Sequence, residues 1–488
     1  MKRRNALAHL FASAALLGLA GCASMAPEDA ATVLQRADQA MGGATLKTLR
    51  YAGTGTGATF GQAFQPGMMW PRITYSSYSR VADYENAALR EDAARSRAEV
   101  TGGGAVPLMG QGEQRTSGWL RGTDSWNMVG TATAAAPLAL DARIHDLWTT
   151  PHGVIKAALR NKATATYRDE GGRRITAVSF AEPGRFSATA WINADNLVER
   201  VDSRQPNAVM GDIDVMTTFS DYRDFAGVKF PTRIRQSQGG FPVLDLEVRE
   251  VQANAPSGIE VPAAVRTAAE RVTSEQAAPG VWFIAGGSHN SVAIEMRDHV
   301  ILVESPLYDG RALPVLAEVR RIVPGKEIRY VINSHHHFDH SGGLRAAASQ
   351  GVTLVTSEMA RPFFERVMAN PNRINPDALE KSGRKAQVMG VDGKRVFTDG
   401  VRTVEVHAIA DSVHAQGFNM VYLPAEKILV EADAYTPGPP NAPPPAVRND
   451  NHVNLAGNIG RLRLDVQRIL PLHGRMTSMT ELNQMIGR

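Results

Sequence analysis

The sequence predicts a chain in two folded parts. An N-terminal antiparallel β-sheet domain with one or two helices precedes an α/β layered domain, making the whole an α+β/α/β multidomain protein. Three observations carry this. Between residues 46 and 251, short and often alternating apolar segments are separated by turn sequences such as Phe225-Ala226-Gly227-Val228 and Gln238-Gly239-Gly240-Phe241. Residues 256–264, with Pro256, Gly258 and Pro262, have the composition of a linker. Beyond residue 265, strand-like runs mix with helical ones, and ten of the thirteen histidines lie there. The 488 residues are 43% hydrophobic and 21% charged, which suits packed domains and excludes wholesale disorder. No internal run approaches ~18 apolar residues, so a multi-span membrane protein is excluded.

The first 22 residues form a separate unit. Met1–Arg4 is positively charged, Ala6–Leu19 is mainly apolar but short for a bilayer span, and small residues follow. That is the pattern of a secretory signal peptide. Leu19-Ala20-Gly21-Cys22 resembles the bacterial lipobox, which implies that Cys22, the only cysteine, is acylated and becomes the first mature residue. The resemblance implies a protein held by a lipid anchor in the bacterial envelope. Ala23 after the cysteine points to the outer membrane, facing the periplasm. A lone cysteine leaves none for an intramolecular disulfide or a Cys-rich zinc ribbon. The net charge of +4 falls to +1 without Lys2, Arg3 and Arg4, so no concentrated basic surface supports nucleic-acid binding.

In residues 23–255, apolar positions at helical spacing (Ala30, Val33, Leu34, Ala37, Met41) predict a helix over 29–43, closed by Gly42-Gly43. Residues 137–161 predict a second helical stretch, broken at Pro151. Strands are expected at 72–78, within 117–129, and at 174–180, 186–192, 197–203, 215–222, 232–238 and 243–251. This part loosely resembles the curved-sheet domains of periplasmic lipoprotein carriers, which hold acyl chains. A structural or docking role is the other reading. In residues 265–488, strands are expected at 281–285, 291–296, 299–304, 328–334, 401–408, 417–423 and 427–431. Helices are expected at 311–322, 344–349, 357–369, 454–469 and 478–486.

Four histidines fall in Ser334-His335-His336-His337-Phe338-Asp339-His340-Ser341-Gly342-Gly343, directly after an apolar strand. Open α/β sheets place their sites at such strand ends. In an extended segment His335 and His337 project to one side and clamp one ion, while His336 and Phe338 point into packing. Asp339 and His340 face a second position as the loop turns. Imidazole with carboxylate is a donor set for zinc or a similar divalent metal.

These residues resemble the first motif of the metallo-β-lactamase superfamily, the αββα metallohydrolase fold, over about residues 278–475. Its later motifs are matched in order by His414 before the strand 417–423, Asp433 after Leu429-Val430-Glu431-Ala432, and His473 after Ile469-Leu470-Pro471-Leu472. The resemblance implies two Zn²⁺ ions. His335, His337 and His414 would bind the first, Asp339, His340 and His473 the second, and Asp433 would bridge them. It also implies a metal-bound hydroxide as nucleophile, with Asp339 as the catalytic residue that orients it and shuttles a proton. The third motif reads Val413-His414-Ala415, so a hydroxyl usual beside that ligand in relatives is displaced.

A bridging Asp433 resembles the thioesterase, lactonase, phosphodiesterase and related hydrolase branches, and the expected small-molecule substrate carries an ester, lactone, thioester or amide bond. β-Lactam hydrolysis is an alternative. So is a lipid- or protein-binding lipoprotein whose metal domain holds iron. Iron stays open although His337 replaces the glutamate of the di-iron flavoprotein branch. Substrate-binding candidates are His289 and His452, in loops near the site, Tyr435 as a donor to a developing oxyanion, and Arg448 for an anionic group. The stiff loop 437–445 is a candidate pocket wall.

Overall fold

The computed structural model describes residues 29–99, 102–104, 112–170 and 173–488. The expected signal peptide, with Cys22, lies outside them.

The N-terminal domain is a single antiparallel sheet of thirteen strands. It is made of two meanders, one running from Thr48–Ala58 to Ala132–Ala135 and the other from Thr164–Glu170 to Phe241–Ala253. The first strand of the first meander pairs with the last strand of the second, from Leu49 opposite Ala253 to Gly57 opposite Leu244, which joins the halves at mid-sheet. Three helices, Ala30–Ala40, Leu140–Trp148 and Pro151–Arg160, cover one face. Period-two alternation delivers Leu49, Tyr51, Tyr78 and Phe230 to that face, where they pack on Val33, Leu34, Leu147 and Ile155. The helical stretch breaks where proline requires it. Pro151 opens the second of the two helices and the Thr150 side chain accepts from Gly153 N at 3.1 Å, an N-cap.

The helix-covered face is filled by aromatic and aliphatic side chains. The opposite face carries a cleft of about 1140 Å³ lined by polar groups, among them Arg50, Arg90, Arg115, Arg249 and Ser77. The segment after the sheet is pinned along this domain. Ser257 Oγ donates to Asp83 Oδ2 at 2.6 Å, Arg121 Nη1 donates to the Ile259 carbonyl at 2.6 Å, and Ile259 packs against Trp126.

The C-terminal part is two packed sheets with helices outside. The first sheet orders strands Thr273–Ala278, Val281–Ala285, Ser291–Glu295, His299–Val303, Glu327–Ile332, Thr353–Ser357 and Gln387–Val391, with the last four parallel. The second runs from Lys394–Thr398 through Thr403–Ala408, Asn419–Leu423, Ile428–Glu431 and Arg468–Pro471 to Thr477–Ser478. Ile294, Ile301, Ile332, Val406, Val421 and Ile469 form the core between them. The helices Asp309–Ile322 and Arg361–Ala369 bury Val315, Leu316 and Phe364 on the first sheet, and Asp450–Arg461 buries Leu455 and Ile459 on the second.

Two expected helices differ. The run 454–469 divides into the helix Asp450–Arg461 and the strand Arg468–Pro471, separated at Arg463, whose φ of +55° cannot continue a right-handed helix. The run 357–369 starts as the end of the strand Thr353–Ser357 and becomes helical only at Arg361, next to Pro362. Among the described residues no helix is long and apolar enough to cross a membrane.

Candidate metal centre

Five loops at one edge of the two sheets bring the site together. His335 and His337 leave the strand Glu327–Ile332, and His340 lies in the short helix Phe338–Ser341 that follows. His414 precedes Asn419–Leu423, Asp433 follows Ile428–Glu431 and His473 follows Arg468–Pro471. His289 lies between Val281–Ala285 and Ser291–Glu295. The loops are tied to one another through backbone groups. Asn419 N donates to the Ser334 carbonyl at 2.8 Å and Asn290 N to the Leu472 carbonyl at 2.8 Å. The buried Arg311 guanidinium donates to the His289 carbonyl at 3.2 Å.

The side chains form two groups, each with its candidate donor atoms within 4.8 Å of one another: His335, His337, His414 and Asp433, and His289, Asp339, His340 and His473. Asp433 joins them. Its Oδ2 lies 2.8 Å from His414 Nε2 and 3.3 Å from His340 Nε2, and its Oδ1 lies 2.8 Å from His473 Nε2.

Hydrogen bonds on the far side of each ring decide which nitrogen faces inward. His337 Nε2 lies 2.9 Å from the Ala63 carbonyl, which only accepts, so Nε2 carries the proton and Nδ1 faces the group as a lone pair. His340 Nδ1 lies 3.0 Å from Glu304 Oε2, which directs Nε2 inward toward Asp433. Ser334 Oγ donates to Glu304, so it accepts from His335 Nδ1 at 3.0 Å and leaves His335 Nε2 bare. His335 Nε2 and His337 Nδ1 are then 2.9 Å apart with lone pair against lone pair, and His414 Nε2 lies 3.2 and 2.9 Å from them. A cation between the rings relieves that repulsion, so the donor set fits a divalent metal.

The electrostatics point the same way. Burial raises the pKa of Asp433, but His340, His414 and His473 overcome it and hold the carboxyl well below its usual range. Burial likewise raises Asp339, yet His340 and His289 bring it well below. Burial lowers His340, and Asp433 and Asp339 outweigh it and push the imidazole well above its ordinary value. Burial holds His335 and His337 well below theirs. Anionic Asp433 and Asp339 beside the neutral rings of His335 and His337 favour a cation in this enclosed site.

Three contributors carry no sequence signature. Glu304, fully buried, accepts from Asn333 Nδ2 at 2.9 Å, from Ser334 and from His340, and so supports both histidine groups. From the N-terminal domain, Gln62 Nε2 donates to Asp339 Oδ1 at 2.8 Å. The Ala63 carbonyl accepts from both His336 Nε2 at 2.8 Å and His337 Nε2. The 59–71 loop is seated further by Phe338 N donating to the Gly61 carbonyl and Gln416 N to the Phe64 carbonyl, and by edge-on contacts of Phe60 and Trp70 with the Phe338 ring. Only the distance in sequence hides these partners.

The other candidates are placed differently. His289 Nε2 lies 3.1 Å from Asp339 Oδ2, which draws it into the second histidine group instead of leaving it as a lone substrate contact. Tyr435 is 1% exposed in the core and its ring meets His452 edge-on at 4.8 Å. Burial lowers the His452 pKa to about 4. Arg448 is exposed and reaches the Ile486 carbonyl near the C-terminus at 3.5 Å. The 437–445 loop begins beside the site, with Pro437 against Gly474, and its Pro443–Pro445 stretch is exposed.

Residues 284–463 match the family model of the metallo-beta-lactamase superfamily. The C-terminal part carries a metallo-beta-lactamase superfamily domain. The chain is 25% identical over 169 residues to the 2,4-dinitroanisole O-demethylase subunit alpha of Nocardioides sp. (strain JS1661), covering 34% of this chain and 48% of that protein. The chain thus spans about half the length of the curated relative it matches. Among solved structures, a metallo-beta-lactamase from Pontibacter korlensis is 18% identical, with a TM-score of 0.35 over 44% of this chain and 98% of its own. DIM-1 metallo-beta-lactamase exposed to ceftazidime is 13% identical, with a TM-score of 0.34 over 45% and 97%.

Proposed function

We propose that the protein is a dizinc hydrolase cleaving an ester, lactone, thioester or amide bond of a small molecule. The observation that carries this is the pair of four-residue groups joined at Asp433, whose Oδ2 reaches histidines of both groups and whose Oδ1 reaches His473. His335, His337 and His414 would hold one ion, Asp339, His340 and His473 the other, with Asp433 between. Zinc in such a site supplies Lewis acidity and makes water nucleophilic at neutral pH. Asp339 is fixed from both sides, Oδ1 by Gln62 and Oδ2 by His289, in an orientation suited to take a proton from the attacking water and return it to the leaving group.

The test is elemental analysis of residues 24–488 beside an Asp433→Ala variant. About two zinc ions per chain, falling in the variant, are expected. No metal after supplementation at neutral pH overturns the reading. A hydrolysis screen then follows with esters, lactones, thioesters and β-lactams, joined by aryl methyl ethers because one relative is named for O-demethylation of 2,4-dinitroanisole.

The sequence supports a location as well. Acylation of Cys22 would tether the domain to the envelope membrane. Membrane fractionation of the full chain against Cys22→Ser checks it, with release of the variant to the soluble fraction as the expected result.

A further inference from the structure

The two domains meet twice beside the metal centre. One contact is the 59–71 loop. The other is the turn after the strand Val198–Asn207, where Asp212 N donates to the Pro371 carbonyl at 2.8 Å and Asn370 Nδ2 donates to the Met210 carbonyl at 2.9 Å. Between these contacts lies a cleft of about 540 Å³, with Gln62 and Asp339 in its wall. A cleft of that size is within the range that encloses a small-molecule ligand. Of the candidate metal ligands Asp339 alone stands in its wall, so the cleft adjoins the metal centre at that carboxylate and lies between the two inter-domain contacts.

The lining states what fits. Near Asp339 the walls are Phe60, Phe338, Val209 and Leu307, an apolar stretch. The lining also includes the exposed Leu138 and Ala142 and the buried Asn372. Asn372 is 3% exposed, spends its Nδ2 on Asp377 Oδ2 at 2.9 Å, and leaves Oδ1 buried with no partner. An unpaired buried acceptor calls for an N–H or O–H donor. The lining side chains offer an anion no excess of positive charge. Among the described lining residues Lys381 is the one cation, against the carboxylates of Asp141, Asp309, Asp339 and Asp377. Asp141 and Asp377 already hold Arg185 and Arg345.

We infer that this inter-domain cleft is the substrate subsite, and that it takes the uncharged arm of an acyl compound, apolar next to the reacting bond and bearing an amide N–H or hydroxyl farther out. The inference rests on the proposed hydrolase reading for the place of the reacting bond. The N-terminal domain then supplies one wall of the substrate site, and the lining adds no surplus of positive charge to favour a phosphorylated arm.

The probe is N-(2-hydroxyethyl)octanamide, neutral and bearing both donors, titrated calorimetrically into the full chain with zinc and after EDTA treatment. Octyl phosphate serves as the anionic comparison. Leu138→Glu and Ala142→Trp change positions that are already exposed, Leu138 at 46%, so both variants keep the fold. The amide is expected to bind at least tenfold more tightly than octyl phosphate, and each variant to weaken it at least tenfold with metal content unchanged. Binding that survives EDTA while hydrolysis is absent would count against the hydrolase reading alone. No amide binding, equal affinity in both variants, or tighter binding of octyl phosphate overturns the cleft assignment.

Discussion

A carboxylate taken out of water is costly unless donors surround it, and Glu304 meets that condition with Asn333, Ser334 and His340. Its backbone sits at φ +71°, a conformation disfavoured for a side chain of this kind, so the fold holds it against local preference. Groups that orient metal ligands in this way are worth ~10–100-fold in affinity. Glu304→Gln is therefore expected to weaken zinc binding by about that factor in a chelator competition, with secondary structure unchanged by circular dichroism. His152 tests a different matter, far from the metal. Its ring is buried against Phe230, Nε2 contacts the Met41 carbonyl at 3.1 Å, and burial lowers its pKa to about 4. Above pH ~6.5 the ring is neutral whether folded or unfolded. As pH falls from there to about 4 only the unfolded chain takes the proton, so ~3 kcal/mol of stability is lost across that window. Denaturant midpoints measured from pH 7 to 4 are expected to fall less steeply for His152→Phe. At this scale the sequence was readable where chemistry clusters, at His335–His340, because spacing along a strand fixes which side chains share a side. It was silent on Glu304 and Gln62, whose partners lie 36 and 277 residues away.

Among the elements, the 59–71 loop is the one whose shape the metal centre depends on most. Gly61 has φ +82°, and a Cβ there would come within 2.6 Å of the Phe338 ring. Gly61→Ala thus carries ~1–2 kcal/mol of backbone strain before any steric push on the metal-bearing turn. The expected result is a lower melting temperature together with weaker zinc retention on dialysis. A lower melting temperature with unchanged retention would mean that the loop only packs against the site. The break at Pro151 was legible because proline forbids one outcome locally, whereas the end of the helix Asp450–Arg461 was not. Residues 454–469 keep apolar side chains at intervals that suit a helix, and what decides for a strand at Arg468–Pro471 is a parallel partner, Ile428–Glu431, far away in sequence. The strand Thr48–Ala58, with five glycine and alanine positions, carried little β signal of its own for the same reason.

For the whole molecule, the linker composition at 256–264 suggested two independent bodies, and the contacts describe one connected unit. The segment is pinned along the N-terminal sheet, and that sheet's loop reaches Asp339, His336 and His337. A ligand that binds only the folded state at 100 times its Kd adds ~2.7 kcal/mol. Scanning calorimetry with and without EDTA is therefore expected to show both domains shifting together in a single transition. Two separate transitions, with only one responding to zinc, would mean that the inter-domain contacts are too weak to couple them.

The mid-sheet pairing of Thr48–Ala58 with Phe241–Ala253 sets a timetable for biogenesis. As the chain emerges N-terminus first, the strand Thr48–Ala58 waits for nearly two hundred residues before its neighbour exists, with one hydrogen-bonding edge open throughout. The loop beyond it waits longer still, until residues 335–340 arrive. Local hairpins of the first meander can pair early, but the sheet's two halves cannot be joined into one until Phe241–Ala253 has been made.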